Sequence, residues 1–161
     1  MILIALGANL SSQAGSPEQT LRASLAFLCA PAAPAVSVSK FYASPAWPDP
    51  SDPPFVNAVA RIETSRDPAS LMKLLAEIET HFGRVRAARN APRTLDLDLL
   101  DYDGRIETGP PILPHPRIEA RDFVLMPLRD VAPHWRHPIS GKSVEELIAA
   151  LPQVTVDRLP G

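Results

Sequence analysis

Hydrophobic and polar residues alternate along several short segments of the chain, a pattern with a period of two that predicts half-buried β-strands. The clearest is residues 95–100, where the leucines at 95, 97 and 99 point to one face of a strand and Asp96 and Asp98 to the other. Apolar or alternating residues predict further strands at residues 2–6, 36–42 and 55–64.

Two longer segments repeat hydrophobic residues every three or four positions, which predicts amphipathic helices. The first helix begins after Ser16, has Pro17 at its first position, and runs to about Cys29, because the proline-containing segment of residues 30–34 breaks it. The second begins after Asp67, which is again followed by proline, and ends near Gly83.

The C-terminal part of the chain contains shorter elements. Asp103 followed by Gly104 predicts a tight turn, from which a hairpin strand returns. A short helix is predicted at residues 121–128, limited by Pro127. A capping box at residues 143–146 predicts the start of a last helix.

The predicted order β-α-β-β-α-β indicates an α+β protein with a ferredoxin-like fold. In this fold two helices pack on one face of an antiparallel sheet, and here a hairpin strand and C-terminal helices are added. The length of 161 residues suits one domain, residues 1–161. The 19 prolines lie largely in connections, notably at residues 45–54 and 110–116, which predicts stiff loops there.

Composition excludes several classes of protein. A net charge of −2 provides no basic field for nucleic acid, and no apolar run approaches the length of a membrane span. Cys29 is the one cysteine, so no internal disulfide is possible, which fits a reducing compartment. We therefore expect a cytoplasmic monomer that binds neither nucleic acid nor membrane.

Asp96 and Asp98 are the first candidates for chemistry. Carboxylates two residues apart on a strand, with roughly 6–7 Å between their Cα atoms, repel each other unless a cation lies between them. Mg²⁺ prefers such oxygen ligands, and the four arginines of residues 84–93 would bind a polyphosphate beside it. The same alternation also fits a half-buried strand with a solvated outer face, so both interpretations stay open.

One segment resembles the signature of the 6-hydroxymethyl-7,8-dihydropterin pyrophosphokinase family. It reads Ala91-Pro92-Arg93-Thr94-Leu95-Asp96-Leu97-Asp98-Leu99, with alanine where the family usually has glycine. Supporting similarities lie at residues 7–10, 41–45, 55–59, 79–86, 114–117 and 121–125. The resemblance thus covers nearly the whole chain.

This resemblance implies transfer of the pyrophosphoryl group of ATP to the hydroxymethyl oxygen of a reduced pterin, with release of AMP in folate biosynthesis. It implies two Mg²⁺ ions held by Asp96 and Asp98, with ATP as co-substrate and 6-hydroxymethyl-7,8-dihydropterin as the second substrate. Arg84 and Arg93 match the arginines that face the phosphates during catalysis.

The resemblance also implies two binding regions. The residues expected to bind ATP are Glu79, Arg86, Arg93, His115 and Arg121. The residues expected to bind the pterin are Ser44, Pro45, Trp47, Phe55, Asn57 and Phe123. Among these, Phe55 and Phe123 would stack on the ring and Asn57 would read its polar edge. Without the resemblance, these residues also fit core packing and surface ion pairs.

The chain departs from the family pattern at two places. Phe55 stands where tyrosine is common, and the segment between Arg86 and Pro92 is one residue shorter, which leaves Arg89 and Asn90 without assigned roles. Two other functions compete with the pyrophosphokinase: a metal-dependent phosphohydrolase that uses the same carboxylates, and a ferredoxin-like module that binds nucleic acid.

Overall fold

The computed structural model describes residues 1–29 and 35–161, and a six-stranded antiparallel sheet forms its centre. The strands are β1 (Ile2–Ala8), β2 (Ala35–Val38), β3 (Tyr42–Ser44), β4 (Phe55–Ile62), β5 (Asp96–Tyr102), β6 (Glu107–Thr108), β7 (Ile112–Leu113) and β8 (Asp157–Arg158). The helices are α1 (Pro17–Cys29), α2 (Pro68–His81), α3 (Asp122–Val131) and α4 (Val144–Ala150), with a 3₁₀ turn at Ile118–Ala120. Helix α1 ends at Cys29 as predicted, and the segment of residues 30–34 expected to break it lies outside the described residues.

The strand order of the sheet is β5-β1-β4-β3-β8, and β2 also pairs with β4. Strand β1 lies in the middle and runs antiparallel to both β4 and β5. Each β-α-β crossover therefore skips one strand position, as in the ferredoxin-like fold. The predicted α+β class and the order of the main elements are confirmed.

Helices α1 and α2 cover one face of the sheet, with a large apolar core between. Alternate strand residues fill it, namely Ile2, Ile4, Leu6, Leu97 and Leu99. The helices contribute Leu21, Leu28, Leu71, Leu75 and Ile78. Full burial of each such side chain stabilises the fold by about 1.5–3 kcal/mol relative to exposure. Leu97 and Leu99 thus face the core, as the alternation predicts.

The opposite face of the sheet has its own apolar core beneath α3 and α4. Strand residues Leu3, Val59 and Leu100 pack there. The helices contribute Val124, Leu125, Leu128, Val144 and Leu147. The C-terminal helices, predicted as additions to the fold, are therefore a third layer that buries the second face of the sheet.

A β-bulge in β5 ties this third layer to the sheet. Leu3 pairs with Asp101 and Ile4 with Leu99, which leaves Leu100 as the extra residue. The buried carboxylate of Asp101 then accepts hydrogen bonds from Trp135 Nε1 at 2.6 Å and from the Gly104 N–H at 2.8 Å. The bulge thus aims Asp101 at the helical layer.

The single strand predicted at residues 36–42 is wrong, because β2 and β3 are separate. Between them the Ser39 hydroxyl accepts the Val59 N–H at 2.9 Å, so a side chain replaces a backbone partner in the ladder. Strand β8 was not predicted at all. Its two residues are exposed and polar, and they pair with β3 at the sheet edge, where no apolar alternation is needed.

The predicted hairpin is also wrong beyond its turn. Asp103 and Gly104 do form a turn with positive φ at both residues, but the returning chain pairs as β6 with β7 rather than with β5. The outer edge of β5 has another partner there, since the His115 N–H donates to the Leu100 carbonyl at 2.8 Å.

Helix α3 continues past Pro127 to Val131, so the predicted limit at Pro127 is wrong. Proline removes one hydrogen bond from the helix, but Leu128 and Val131 beyond it are buried against the sheet, and this burial offsets the loss. Among the described residues, no helix has both the length and the apolar character needed to cross a membrane.

Trp135→Phe is expected to destabilise the protein by roughly 1–3 kcal/mol, because the Asp101 carboxylate stays buried with one donor fewer. Urea unfolding followed by circular dichroism measures the change. Trp47→Phe is the matched control, since its side chain is 71% exposed, and it should leave the unfolding midpoint unchanged. Equal midpoints for both variants would contradict the role given to the Asp101–Trp135 bond.

Candidate active site

Three strands meet at one end of the sheet and present polar residues on the face covered by α3. The register places Gly7 of β1 between Asn57 of β4 and Asp96 of β5. Ala5 pairs with Asp98 one step further along. A Cβ atom at Gly7 would lie 3.5 Å from Asn57 Oδ1, so the glycine leaves a gap between the amide and the carboxylates.

A pocket of about 370 Å³ opens at this end of the sheet. The predicted residues that line it are Ser44, Pro45, Trp47, Phe55, Asn57, Arg93, Asp96, Asp98, Arg121 and Phe123. Other residues that line it are Ala5, Leu6, Gly7, Asn90, Arg117, Ala120 and Val124. The fold thus brings aromatic, amide, carboxylate and guanidinium groups together around one space.

Both oxygens of Asp96 are held by arginines. Arg84 Nη1 donates to Oδ1 at 2.6 Å, and Arg93 Nη1 donates to Oδ2 at 3.0 Å. Behind Arg84, the buried Glu79 accepts from the same Nη1 at 2.6 Å and from the Leu97 N–H at 2.8 Å. Burial raises the pKa of Glu79, although the Leu97 bond and Arg84 oppose that shift.

Asp98 has a looser environment. Its Oδ2 lies 3.8 Å from Arg121 Nη1 and 3.9 Å from His115 Nε2, which is beyond hydrogen-bond distance. Burial and the neighbouring charge of Asp96 raise the pKa of Asp98. Burial lowers the pKa of His115, against the attraction of Asp98. Asp98 therefore carries a charge that the free protein stabilises poorly.

The paired carboxylates fit a hard divalent cation, because their oxygens are the ligands that Mg²⁺ prefers. Asp98 accepts no hydrogen bond within the described residues, so its oxygens are available. Within residues 1–29 and 35–161 there is no cluster of three or more His, Cys, Asp or Glu side chains that could enclose a metal. The remaining ligands would have to come from a bound anion or from water.

The other side of the pocket is aromatic. The Cζ atom of Arg93 lies 5.8 Å from the ring centroid of Phe55, and that of Arg121 lies 5.4 Å from the ring centroid of Phe123. Trp47 is exposed at the rim. Each phenyl ring thus borders a cation, so a flat ligand between the rings would also lie beside the arginines.

Asn57 lines the pocket and is buried, so it is not a solvated residue of the strand surface. Its Nδ2 donates to the Tyr42 carbonyl at 3.3 Å and to Ser44 Oγ at 2.9 Å. A carbonyl only accepts, which assigns the nitrogen to that side. The Oδ1 atom is therefore the polar atom that remains for a ligand.

Four predicted residues do not line the pocket. Arg84 and Glu79 lie behind Asp96, and His115 lies near Asp98. Arg86 is exposed and forms no ion pair in the described part of the chain. Arg84 and His115 therefore contact the site through Asp96 and Asp98, and Glu79 does so through Arg84. The placement of Arg86 gives no support to its predicted role.

Sequence reasoning missed Asn9, which is buried and joins two segments of the site. Its Oδ1 accepts the Arg93 N–H at 2.8 Å, and its Nδ2 donates to the Pro53 carbonyl at 3.0 Å. The signal was available, because residues 7–10 match the family pattern right after a strand. Asn90 was also missed, although its positive φ of 63° is one that asparagine tolerates in loops that line sites.

Comparisons with known proteins show similarity over most of the chain. The family model described as 7,8-dihydro-6-hydroxymethylpterin-pyrophosphokinase (HPPK) matches residues 3–133. A 2-amino-4-hydroxy-6-hydroxymethyldihydropteridine pyrophosphokinase of Pseudomonas aeruginosa is 41% identical over 162 residues, covering 99% of this chain and 97% of that protein. The enzyme of the same name from Methylorubrum extorquens is 34% identical over 153 residues, covering 94% of this chain and 96% of that protein.

Two solved structures are similar in fold. One is the Plasmodium falciparum HPPK-DHPS with STZ-DHP, with a TM-score of 0.64 and 12% identity over 92% of this chain and 40% of that one. The other is an HPPK-DHPS in complex with substrates, with a TM-score of 0.69 and 11% identity over 98% of this chain and 46% of that one. This chain thus spans less than half of either protein.

The fold and the pocket together define a ferredoxin-like α+β domain with a site for an anion beside a flat ring. More specifically, the chain belongs to the 7,8-dihydro-6-hydroxymethylpterin-pyrophosphokinase family.

Asp98→Asn is expected to stabilise the free protein at pH 7, by up to about 1 kcal/mol, because a charge that Asp96 repels is removed. The gain is modest since the Asp98 side chain is 36% exposed to solvent. The raised pKa means that the folded protein binds the Asp98 proton more tightly than the unfolded chain does. The stability of the wild type therefore falls as the pH rises above the ordinary pKa of an aspartate. The advantage of the variant should vanish at about pH 4.

Asp96→Asn is the matched control for this measurement. It should destabilise the protein, because it weakens the bonds to both Arg84 and Arg93. Urea unfolding of the two variants at several pH values makes the comparison. Equal destabilisation by both substitutions would show that Asp98 is a stabilising ion-pair partner and would contradict the prediction.

Proposed function

We propose that this chain transfers the pyrophosphoryl group of ATP to the hydroxymethyl group of 6-hydroxymethyl-7,8-dihydropterin, giving the pterin diphosphate and AMP in folate biosynthesis. Family membership supports this reaction. The observation that carries the proposal is the register of three strands, which puts Asn57, Gly7 and Asp96 side by side. The groups proposed to bind the ring and the phosphates thus lie on either side of Gly7, on the two strands that flank β1.

Phosphoryl transfer asks a protein mainly for positioning and charge stabilisation. Arg84 and Arg93 would provide both for the transferred group, since Asp96 and Glu79 already orient Arg84 and Asp96 orients Arg93. Arg121 and His115 would bind the nucleotide phosphates from the Asp98 side. Because burial favours the neutral imidazole, His115 would act as a hydrogen-bond donor rather than a fixed cation.

Two Mg²⁺ ions held by Asp96 and Asp98 complete the proposal. When bound, such ions neutralise phosphate charge and polarise an attacking hydroxyl group. The paired carboxylates support this assignment, because the unfavourable charge on Asp98 needs a cation and Asp96 lies beside it on the same strand face. Asp98 would exchange its loose contacts with Arg121 and His115 for a bond to the metal.

The aromatic side of the pocket suits the pterin. Phe55 and Phe123 would stack on its faces, and Ser44, Pro45 and Trp47 would border it. Asn57 would present Oδ1 to an N–H group on the ring edge, because its Nδ2 is already bound to Tyr42 and Ser44. This assigns the amide an acceptor role toward the pterin.

The other expectations stay proposals of the same kind. They are a single domain over residues 1–161, a monomer, a place in the cytoplasm, and no binding to nucleic acid or membrane. Two carboxylates on the open strand face support the exclusion of nucleic acid, since they would repel its phosphates unless a metal intervened.

Phosphorus magnetic resonance of the protein mixed with ATP, Mg²⁺ and 6-hydroxymethyl-7,8-dihydropterin should show AMP and a pterin diphosphate ester in equal amounts. ADP with a monophosphate ester would instead indicate an ordinary kinase. Phosphate release from ATP without pterin would indicate the phosphohydrolase. A mixture without pterin is the control and should leave ATP intact.

Phe123→Ala should weaken pterin binding by roughly 5- to 10-fold or more, because one stacking face and its buried area are lost. Binding of a non-hydrolysable ATP analogue should change by less than about twofold, since stacking acts on the ring alone. Calorimetric titration measures both. Phe27→Ala is the control, because Phe27 is partly exposed on α1 and does not line the pocket. Equal weakening of both ligands would assign Phe123 a packing role.

A further inference from the structure

Arg117 lines the pocket but has no role in the site predicted from the sequence. It follows Pro116 in the connection between β7 and the 3₁₀ turn, on the same wall as Arg121. Its side chain is exposed, so nothing in the fold requires a guanidinium group here for packing. A cation that borders a pocket without a packing role needs another explanation.

The arginines of the pocket differ in their partners. Arg93 is paired with Asp96 at 3.0 Å, and Arg121 lies 3.8 Å from Asp98. Arg117 has no carboxylate within ion-pair distance in residues 1–29 and 35–161. The wall formed by Arg117 and Arg121 therefore carries two guanidinium groups against the single carboxylate of Asp98.

This excess of positive charge acts on the neighbouring groups. Burial lowers the pKa of Arg121, and the charge of Arg117 adds to that effect, while Asp98 opposes it. The pKa of His115 is lowered by burial, with Arg121 and Arg117 contributing in the same direction. Arg117 and Arg121 thus repel each other beside Asp98, and a bound anion would relieve the repulsion.

The backbone of Arg117 has a separate task from its side chain. Its N–H donates to His115 Nδ1 at 3.2 Å, which turns His115 Nε2 toward Asp98. A substitution at position 117 other than proline keeps this N–H. The effect of changing the side chain therefore reports on the guanidinium group and leaves the orientation of His115 intact.

We propose that Arg117 is a further polyphosphate-binding residue, which takes phosphate oxygens on the Arg121 side of the pocket. Guanidinium groups suit this task because they donate two parallel hydrogen bonds to phosphate. The inference rests on the proposed function only in taking ATP as the molecule that brings the polyphosphate. Recognition of the anion itself follows from the charges of the wall.

Calorimetric titration with inorganic tripolyphosphate and Mg²⁺ tests the proposal without turnover. Arg117→Ala should bind this anion roughly 5- to 10-fold more weakly than the wild type, as expected for loss of a charge-assisted contact at a partly solvated site. Arg117→Lys should recover part of the affinity. The dependence of binding on salt should become shallower in Arg117→Ala, and pterin binding should not change.

Arg129→Ala is the matched control, because Arg129 lies on α3, faces Glu145 at 3.8 Å and does not line the pocket. It should bind tripolyphosphate as the wild type does. Wild-type affinity in both Arg117→Ala and Arg117→Gln, with AMP still formed by the wild type, would overturn the inference and leave the proposed function standing. Weakened tripolyphosphate binding together with no AMP from the wild type would overturn the proposed function and support the inference.

Discussion

The site depends above all on the carboxylate of Asp96, which is held between Arg84 and Arg93. One arginine follows α2 and the other precedes β5, so the carboxylate joins two segments that flank the shortened loop. Glu79 braces Arg84 from behind and bonds to the backbone of β5. Breaking a partly buried pair of this kind leaves an uncompensated charge, so the three groups keep one another in position.

Asp98 lies on the same strand but is not held by close arginines as Asp96 is. Its charge lacks a close partner and lies beside Asp96, which is unfavourable in the free protein. Such a group is tolerated where binding of a cation or substrate makes use of it. On the positive side, Arg117 and Arg121 likewise lack close carboxylate partners. The free protein thus keeps charges of both signs incompletely paired around the pocket.

The pocket lies on one face of the sheet. Helices α1 and α2 bury an apolar core on one face, and no pocket residue comes from either helix. On the other face α3 covers part of the sheet and leaves the end near Gly7 open. The alternating residues of β5 therefore contribute to both faces of the sheet, since Leu97 stabilises the core while Asp96 and Asp98 face the pocket.

The sequence by itself determined the ferredoxin-like order, the helix starts, and the opposite faces of the leucines and aspartates in β5, because periodicity and capping are local properties of the chain. It did not reveal that α3 and α4 form a third layer, that the chain after Gly104 pairs as β6 with β7 rather than with β5, or that Asn57 keeps only its oxygen for a ligand. Those features depend on contacts between residues far apart in the sequence. A local pattern shows that a residue is buried or polar, but only the tertiary structure decides which partner it meets.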